Sequence, residues 1–253
     1  MDAPAYYMTI SVIIPTFNEA DTIGRLVSDL QTYGRDRLAD LLVVDGGSTD
    51  RTVELARQAG AQVVNSPQRG RACQMNYGAS LTSGQLLYFV HADVHIHPDF
   101  VSDIQQAITN GNDAGCYRFR FASSHPLLRL NSYGTRFPGL MSRGGDQTLF
   151  ITRALFDQLA GFQERYVIME DFDIIVRIRA SGRFCIIPKD VVVSARKYEA
   201  NSWLRVQVAN LAAFSLFFMK VNPARIAQTY KRMLRQPCVN RHNTAKTDGP
   251  AYD

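Results

Sequence analysis

The sequence predicts an α/β fold with a mainly parallel central sheet flanked by helices. Three observations carry that expectation. Short, continuously apolar runs recur between residues 11 and 90, segments of helical period separate them, and polar turns join the two. Continuous apolar runs, as opposed to alternating ones, mark strands covered on both faces, which is the condition of a parallel sheet.

Ser11-Val12-Ile13-Ile14 is the first such strand, closed by Pro15. Asn18 stands where a cap is expected for a helix whose apolar positions are Ile23, Leu26, Val27 and Leu30. Leu41 to Val44 forms a second strand ending at Asp45; Gly46-Gly47-Ser48-Thr49-Asp50 turns the chain into a helix carrying Val53, Leu55, Ala56 and Ala59. Gln62-Val63-Val64 is a third strand, Ala72 to Leu81 a helix, and Leu86 to Val90 a fourth strand. Beyond it Tyr117, Phe119 and Phe121 alternate with Arg118 and Arg120, as on a half-exposed strand. Ser123 to Asp146, rich in Gly, Pro, Ser and Arg, reads as a long irregular segment or lid. Leu149 to Ile151 and Phe184 to Ile187 are further strands around a helix over 171–180, and Trp203 to Met219 and Pro223 to Leu234 are helical. The expected organisation is one domain over 1–235, with a nucleotide-binding half (9–93), an acceptor half (94–200) and C-terminal helices (201–235). Residues 236–253 form a polar tail expected to be disordered.

Composition narrows the function. With 46% hydrophobic and 20% charged residues, the 253-residue chain is an ordinary globular one. A net charge of +5 suits an anionic ligand or a membrane surface without requiring nucleic acid, and none is expected as a partner. The four cysteines, Cys73, Cys116, Cys185 and Cys238, form no CxxC pair, so neither a zinc knuckle nor a disulfide framework is indicated and a cytoplasmic setting is expected. The N-terminal residues lack the basic and apolar regions of a signal peptide. The run 203–219 is broken by Arg205, Gln207 and Asn210, which argues against a membrane crossing.

Ligands of open parallel sheets bind beyond the carboxyl ends of the strands. Those ends carry Pro15-Thr16-Phe17-Asn18-Glu19, Asp45-Gly46-Gly47-Ser48, Ser66 to Arg71 with Arg69 and Gly70, and His91-Ala92-Asp93. Four polar, charged ends on one edge describe a nucleotide site. Neither GxGxxG nor GxxxxGK[ST] is present, which sets aside a dinucleotide enzyme and a P-loop NTPase.

Taken in order, Ser11 to Glu19, Val43 to Asp50, His91-Ala92-Asp93 and Glu170-Asp171 resemble the motifs of family 2 glycosyltransferases over roughly residues 9 to 200. The resemblance implies the GT-A fold, a nucleotide-diphosphate sugar donor, a hydroxyl acceptor and Mg²⁺ or Mn²⁺. His91-Ala92-Asp93 and Gly144-Gly145-Asp146-Gln147 further resemble the small bacterial group associated with radical-SAM and selenodomain genes, linked to arsenosugar synthesis.

By that resemblance Pro15, Thr16, Phe17 and Glu19 line the nucleoside pocket and Asp45 accepts from base or ribose. Arg69 and Gly70 approach the uridine or phosphates, as do His91 and Ala92. Asp93, with His91, holds the metal; Gly145, Asp146 and Gln147 meet the acceptor; Asp171 is the general base, with Glu170 beside it capping or pairing with an arginine such as Arg177. His91 replaces the family's first Asp, and His95 and His97 follow as compensating ligands. Arg196 and Lys197 are candidates for the diphosphate. The only Trp, Trp203, is outside a QxxRW context, so the resemblance implies one transfer, not polymerisation.

A carboxylate-held divalent ion suits a departing diphosphate, and a carboxylate base suits a hydroxyl nucleophile. Two rival functions stay open at this level: a polyprenol-phosphate sugar transferase at the membrane surface, and a degenerate nucleotide-binding protein. The C-terminal helices likewise admit three roles, namely packing on the domain, a homodimer interface, or peripheral contact at the inner face of a membrane.

Overall fold

The structure, a computed structural model, describes residues 7–137, 139 and 148–235. The strands are β1 (Ile10–Thr16), β2 (Leu38–Asp45), β3 (Gln62–Asn65), β4 (Leu86–Phe89), β5 (Val94–His95), β6 (Ala114–Phe121), β7 (Leu149–Thr152) and β8 (Phe184–Val193). They form one sheet in the order β3-β2-β1-β4-β7-β6-β8-β5. The pairs β3/β2, β2/β1, β1/β4 and β6/β8 are parallel; β4/β7, β7/β6 and β8/β5 are antiparallel. β7 thus runs opposite to both of its neighbours, β4 and β6.

The helices are α1 (Ile23–Gly34), α2 (Thr52–Gln58), α3 (Arg71–Ser80), α4 (Phe100–Thr109), α5 (Pro126–Gly134), α6 (Arg153–Gln158), α7 (Glu170–Ser181), α8 (Arg196–Glu199), α9 (Trp203–Phe218) and α10 (Pro223–Met233). Every residue of β1 is buried, and the period of two sends its side chains to two cores. Val12 and Ile14 join Leu26, Leu30, Tyr88, Phe100 and Phe150 on one face of the sheet. Ile13 joins Met75, Phe89, Leu155, Ile174 and Ile178 on the other. Gly78 lets α3 lie against the sheet, since a Cβ there would stand 2.5 Å from Ile13 Cγ2. A third cluster seats α9 and α10 against the start of α7, through Met169, Phe172, Phe214 and Ile226.

Three expectations need correction. Asn18 does not cap α1: it sits at φ 56°, and its Oδ1 accepts from Thr49 N at 2.8 Å, cross-linking two loops. Within Ser123 to Asp146, residues Pro126–Gly134 form a helix, with Pro at its first position and His125 Nδ1 accepting from Leu127 N. α4, α6 and the short β5 were not anticipated. The tail over 236–253 lies outside the described residues.

Candidate active site

The carboxyl ends of the parallel strands are stitched together by their own backbone. Gly46 N donates to Thr16 O (2.8 Å), Ser66 N to Asp45 O (2.7 Å) and Val90 N to Ile13 O (3.1 Å). Behind them Gln74, buried on α3, donates from one Nε2 to Thr16 O at 2.8 Å and Val44 O at 2.7 Å. Side chains finish the join: Ser48 Oγ accepts from Asn18 N, and Thr52 Oγ1 from Glu19 N, each at 2.8 Å.

Asp45 is buried and holds its own turn. Its Oδ2 accepts from Gly47 N and Ser48 N at 2.8 Å, while its Oδ1 accepts from Ser48 Oγ at 2.5 Å and Thr16 Oγ1 at 3.3 Å. Pro15 and Thr16 are also buried, so they form the floor of this edge. The surface above it is Phe17, half-exposed, with the Arg69 guanidinium 5.6 Å from its ring centroid and packed beside Gly47. An aromatic face, a cation and a bare glycine offer a stacking platform for a planar, electron-rich group. Gly70 follows at φ 133°, a backbone conformation open to glycine alone, and starts α3.

At the next strand end, His91 O accepts from Val94 N, Ala92 is buried, and Asp93 turns into a cavity. There one guanidinium serves two acids: Arg196 Nη2 is 2.8 Å from Glu19 Oε2 and 3.4 Å from Asp93 Oδ2. Burial raises the Glu19 carboxyl above its ordinary value, against the opposing pull of Arg196.

The other wall comes from the start of α7. Met169 occupies the left-handed region at φ 72°, strain for a residue with a side chain, and this bend aims the two acids that follow in different directions. Glu170 points inward, fully buried, with its Oε1 2.7 Å from Arg71 Nη2. Burial pushes its carboxyl up to about 7, with Arg71 opposing. Asp171 instead lines the cavity. The expected pairing of this dyad with Arg177 is corrected: Arg177 binds Asp173 and Leu159 O, each at 2.8 Å, and Arg71 takes Glu170.

The cavity holds about 600 Å³. Its lining combines charged residues, Arg71, Asp93, Asp171, Arg196 and Lys197, with apolar ones, Phe119, Phe121, Leu130, Ile168, Phe172 and Phe214. Lys197 donates to Tyr230 OH, which in turn donates to Asn210 Oδ1 at 3.0 Å. Thus Asp93, Asp171, Arg196 and Lys197, expected from sequence, do meet. His91 and Glu170 are not among the lining residues described, and Gly145, Asp146 and Gln147 lie outside the described residues. Arg71, Gln74 and Tyr230 were missed; of these only Arg71 carried a signal, its position just after Gly70 at a helix start.

His95 and His97 are not among the residues that line the cavity. His95 lies in β5, within the fields of Arg25, Asp29 and Arg120. His97 stacks on Tyr117 and adjoins Asp99 and Asp103, but Lys189 Nζ already sits 2.8 and 2.7 Å from those carboxylates. Asp93 offers an oxygen donor, partly exposed, beside a second carboxylate on Glu19. One or two carboxylates with the remaining positions left to phosphate oxygens and water is the donor set of Mg²⁺, and Mn²⁺ accepts it too. The residues therefore fit a divalent ion bound jointly with a diphosphate.

Residues 11–167 match the family model for glycosyl transferase family 2. Glycosyltransferase AglJ of Haloferax volcanii is 34% identical over 131 residues, covering 50% of this chain and 42% of the relative. The chain spans less than half the length of the curated relatives it matches first. The mannosyltransferase PcManGT of Pyrobaculum calidifontis, solved with GDP-Man and Mn²⁺, superposes with a TM-score of 0.66 at 20% identity, over 91% of this chain and 71% of that one. Glucosyl-3-phosphoglycerate synthase of Mycobacterium tuberculosis, solved with Mn²⁺, UDP and its product, gives 0.59 at 21%, over 85% and 81%. At those identities the shared property is the fold, the GT-A arrangement expected above.

Proposed function

This chain belongs to glycosyl transferase family 2, and on that premise we propose that it moves one sugar from a nucleotide-diphosphate sugar to an acceptor hydroxyl, with a divalent ion bound at Asp93. The observation that carries the reading is the placement of Asp93 and Asp171 on one cavity at the sheet's carboxyl edge. The complexes of the two structural neighbours, with GDP-Man or UDP and Mn²⁺, support the donor class.

In this reading Phe17 and Arg69 take the base, over the floor of Pro15, Thr16 and Asp45. The ion, when bound, offsets charge on the departing diphosphate. Asp171 accepts the proton of the acceptor hydroxyl. The acceptor oxygen bonds to the anomeric carbon as the bond from that carbon to the diphosphate oxygen breaks, and the nucleoside diphosphate leaves with the electron pair. One in-line displacement inverts the anomeric centre. Arg71, Arg196 and Lys197 supply fixed positive charge around the leaving anion. Glu170 is a positioning residue, since it touches Arg71 and not the cavity.

The finer partners are also proposals. Cys73, Cys116 and Cys185 form no disulfide among the described residues, which supports a reducing, cytoplasmic setting. No helix among the described residues is long and apolar enough to cross a membrane. The inner face of α9 packs on the domain, and its exposed outer residues support an additional interface.

The test is calorimetric titration with UDP and with GDP, each with Mn²⁺, with Mg²⁺ and with EDTA. Binding of one nucleotide that EDTA abolishes is expected, and Asp93→Asn should remove the metal-dependent part. Metal-independent binding with no sugar transfer would replace this reading with that of a degenerate nucleotide-binding protein.

A further inference from the structure

We propose that the outer face built by α5, α9 and α10 seats on the surface of an anionic lipid bilayer. On α9 the inner residues Val206, Ala209, Ala213 and Phe214 are buried, while Leu204, Val208, Leu211 and Phe218 form a stripe on the outer side, 48–65% exposed. Met219 extends it. On α5 and just after it, Leu127, Leu130, Tyr133 and Phe137 repeat the pattern. Single exposed apolar side chains are ordinary, but two helical stripes are not. The helices flank Tyr198, whose OH accepts from both Asn131 Nδ2 and Gln207 Nε2, at 3.3 and 3.4 Å.

Charge selects the occupant. Residues 114–137 and 200–235 contain ten Lys and Arg and no Asp or Glu. The other 18 Lys and Arg share the rest of the chain with all 23 Asp and Glu. A second copy would meet this patch with the same patch, since a two-fold interface is self-complementary, so a surplus of cations would face the same surplus; Asp190, beside Arg129 and Arg136, is already paired with Arg118. A nucleic acid supplies phosphates but nothing to bury aliphatic stripes. An anionic bilayer supplies both, with headgroups for Arg129, Arg136, Arg205, Lys220, Arg225, Lys231 and Arg232 and an apolar boundary for the leucines and Phe218. Because α5 and α9 both border the cavity, with Leu130 shared between cavity and stripe, docking brings the cavity mouth to the headgroup layer.

The experiment is co-sedimentation of the full chain with vesicles of phosphatidylcholine, with and without phosphatidylglycerol, at low and high salt. Binding is expected only with the anionic lipid, and salt should weaken it. Each cation near such a surface contributes about 1 kcal/mol, so Arg225→Gln combined with Lys231→Gln should loosen binding about 30-fold. Leu211→Asp and Phe218→Asp, both at exposed positions, should abolish it with unchanged circular dichroism. Leu81→Asp, exposed at the end of α3, should leave it intact. Equal binding to neutral vesicles, or none to either, overturns the proposal. So does a dimer in sedimentation velocity that Leu211→Asp dissociates. Nucleotide titration of the same samples reports separately on the proposed enzymatic reading, which can fail while this one stands.

Discussion

Arg71 Nη2 lies 2.7 Å from Glu170 Oε1, and this contact joins the first turn of α3 to the first turn of α7. The two helices arise from opposite halves of the chain, one between β3 and β4 and one after β7 and α6. Glu170 gives up solvent completely to make the contact. Its neighbour Asp171 is thereby held at the cavity wall.

Stability should fall between about pH 4.5 and about pH 7 through Glu170. Burial raises its folded-state carboxyl from 4.5 to about 7, so the folded chain holds this proton more tightly than the unfolded one. The associated stability is fully present below 4.5 and lost as pH passes 7. Urea midpoints taken across that range should show the slope, and Glu170→Gln, which cannot ionise, should flatten it. An unchanged slope in the variant assigns the effect elsewhere.

Asp171→Asn should lower kcat by about 10²–10⁴-fold, the usual contribution of a positioned general base. Nucleotide affinity should be unaltered, because the change removes proton acceptance and little else. Steady-state kinetics and calorimetry on the same preparation read both quantities.

Gln74→Leu should cost about 1–3 kcal/mol in urea unfolding. The substitution removes the donor shared by Thr16 O and Val44 O, two buried carbonyls at the ends of β1 and β2. Nucleotide affinity should drop with it, since those strand ends carry the loops of Phe17 and Asp45.

Gly70→Ala should destabilise the start of α3 by more than about 1 kcal/mol, because φ 133° is closed to a residue with a Cβ. Space is not the reason: the added carbon would meet only Cys73 Sγ, at 3.7 Å. Thermal unfolding beside Gly24→Ala, at a helical glycine with nothing near its Cβ position, separates backbone strain from a general glycine effect.

Much of the parallel half was legible because its signals are local. β1, β2 and β4 announce themselves as unbroken apolar runs, and α1 as an i, i+3, i+4, i+7 pattern. The strand-end residue Asp93 was likewise readable, since fold class alone says which edge carries ligands, whereas Asp171, at the start of α7, was reached only through the resemblance to family 2 glycosyltransferases. What escaped depends on distant partners. The reversal of β7 shows only in its pairing with β4 and β6, and nothing in Leu149-Phe150-Ile151 states its direction. Gln74 reads as a polar residue in a weakly amphipathic helix, and its reach to two strand ends exists only once α3 is packed. α5 had its signature, a cap residue followed by Pro126, but the surrounding Gly, Ser and Arg hid it.

Arg196, shared by Glu19 and Asp93, gives the site a built-in counter-ion. A divalent ion that takes Asp93 competes with a guanidinium already there, and the displaced guanidinium becomes available to an anion. Metal and diphosphate are then heterotropic ligands: each lowers the cost of the other, by the same factor in both directions. Ion affinity measured with and without nucleotide should differ by the same ratio as nucleotide affinity measured with and without ion, and Arg196→Gln should shrink that ratio towards one. One guanidinium offsets only one of two carboxylate charges, so the trio keeps a negative balance that a divalent ion can take up.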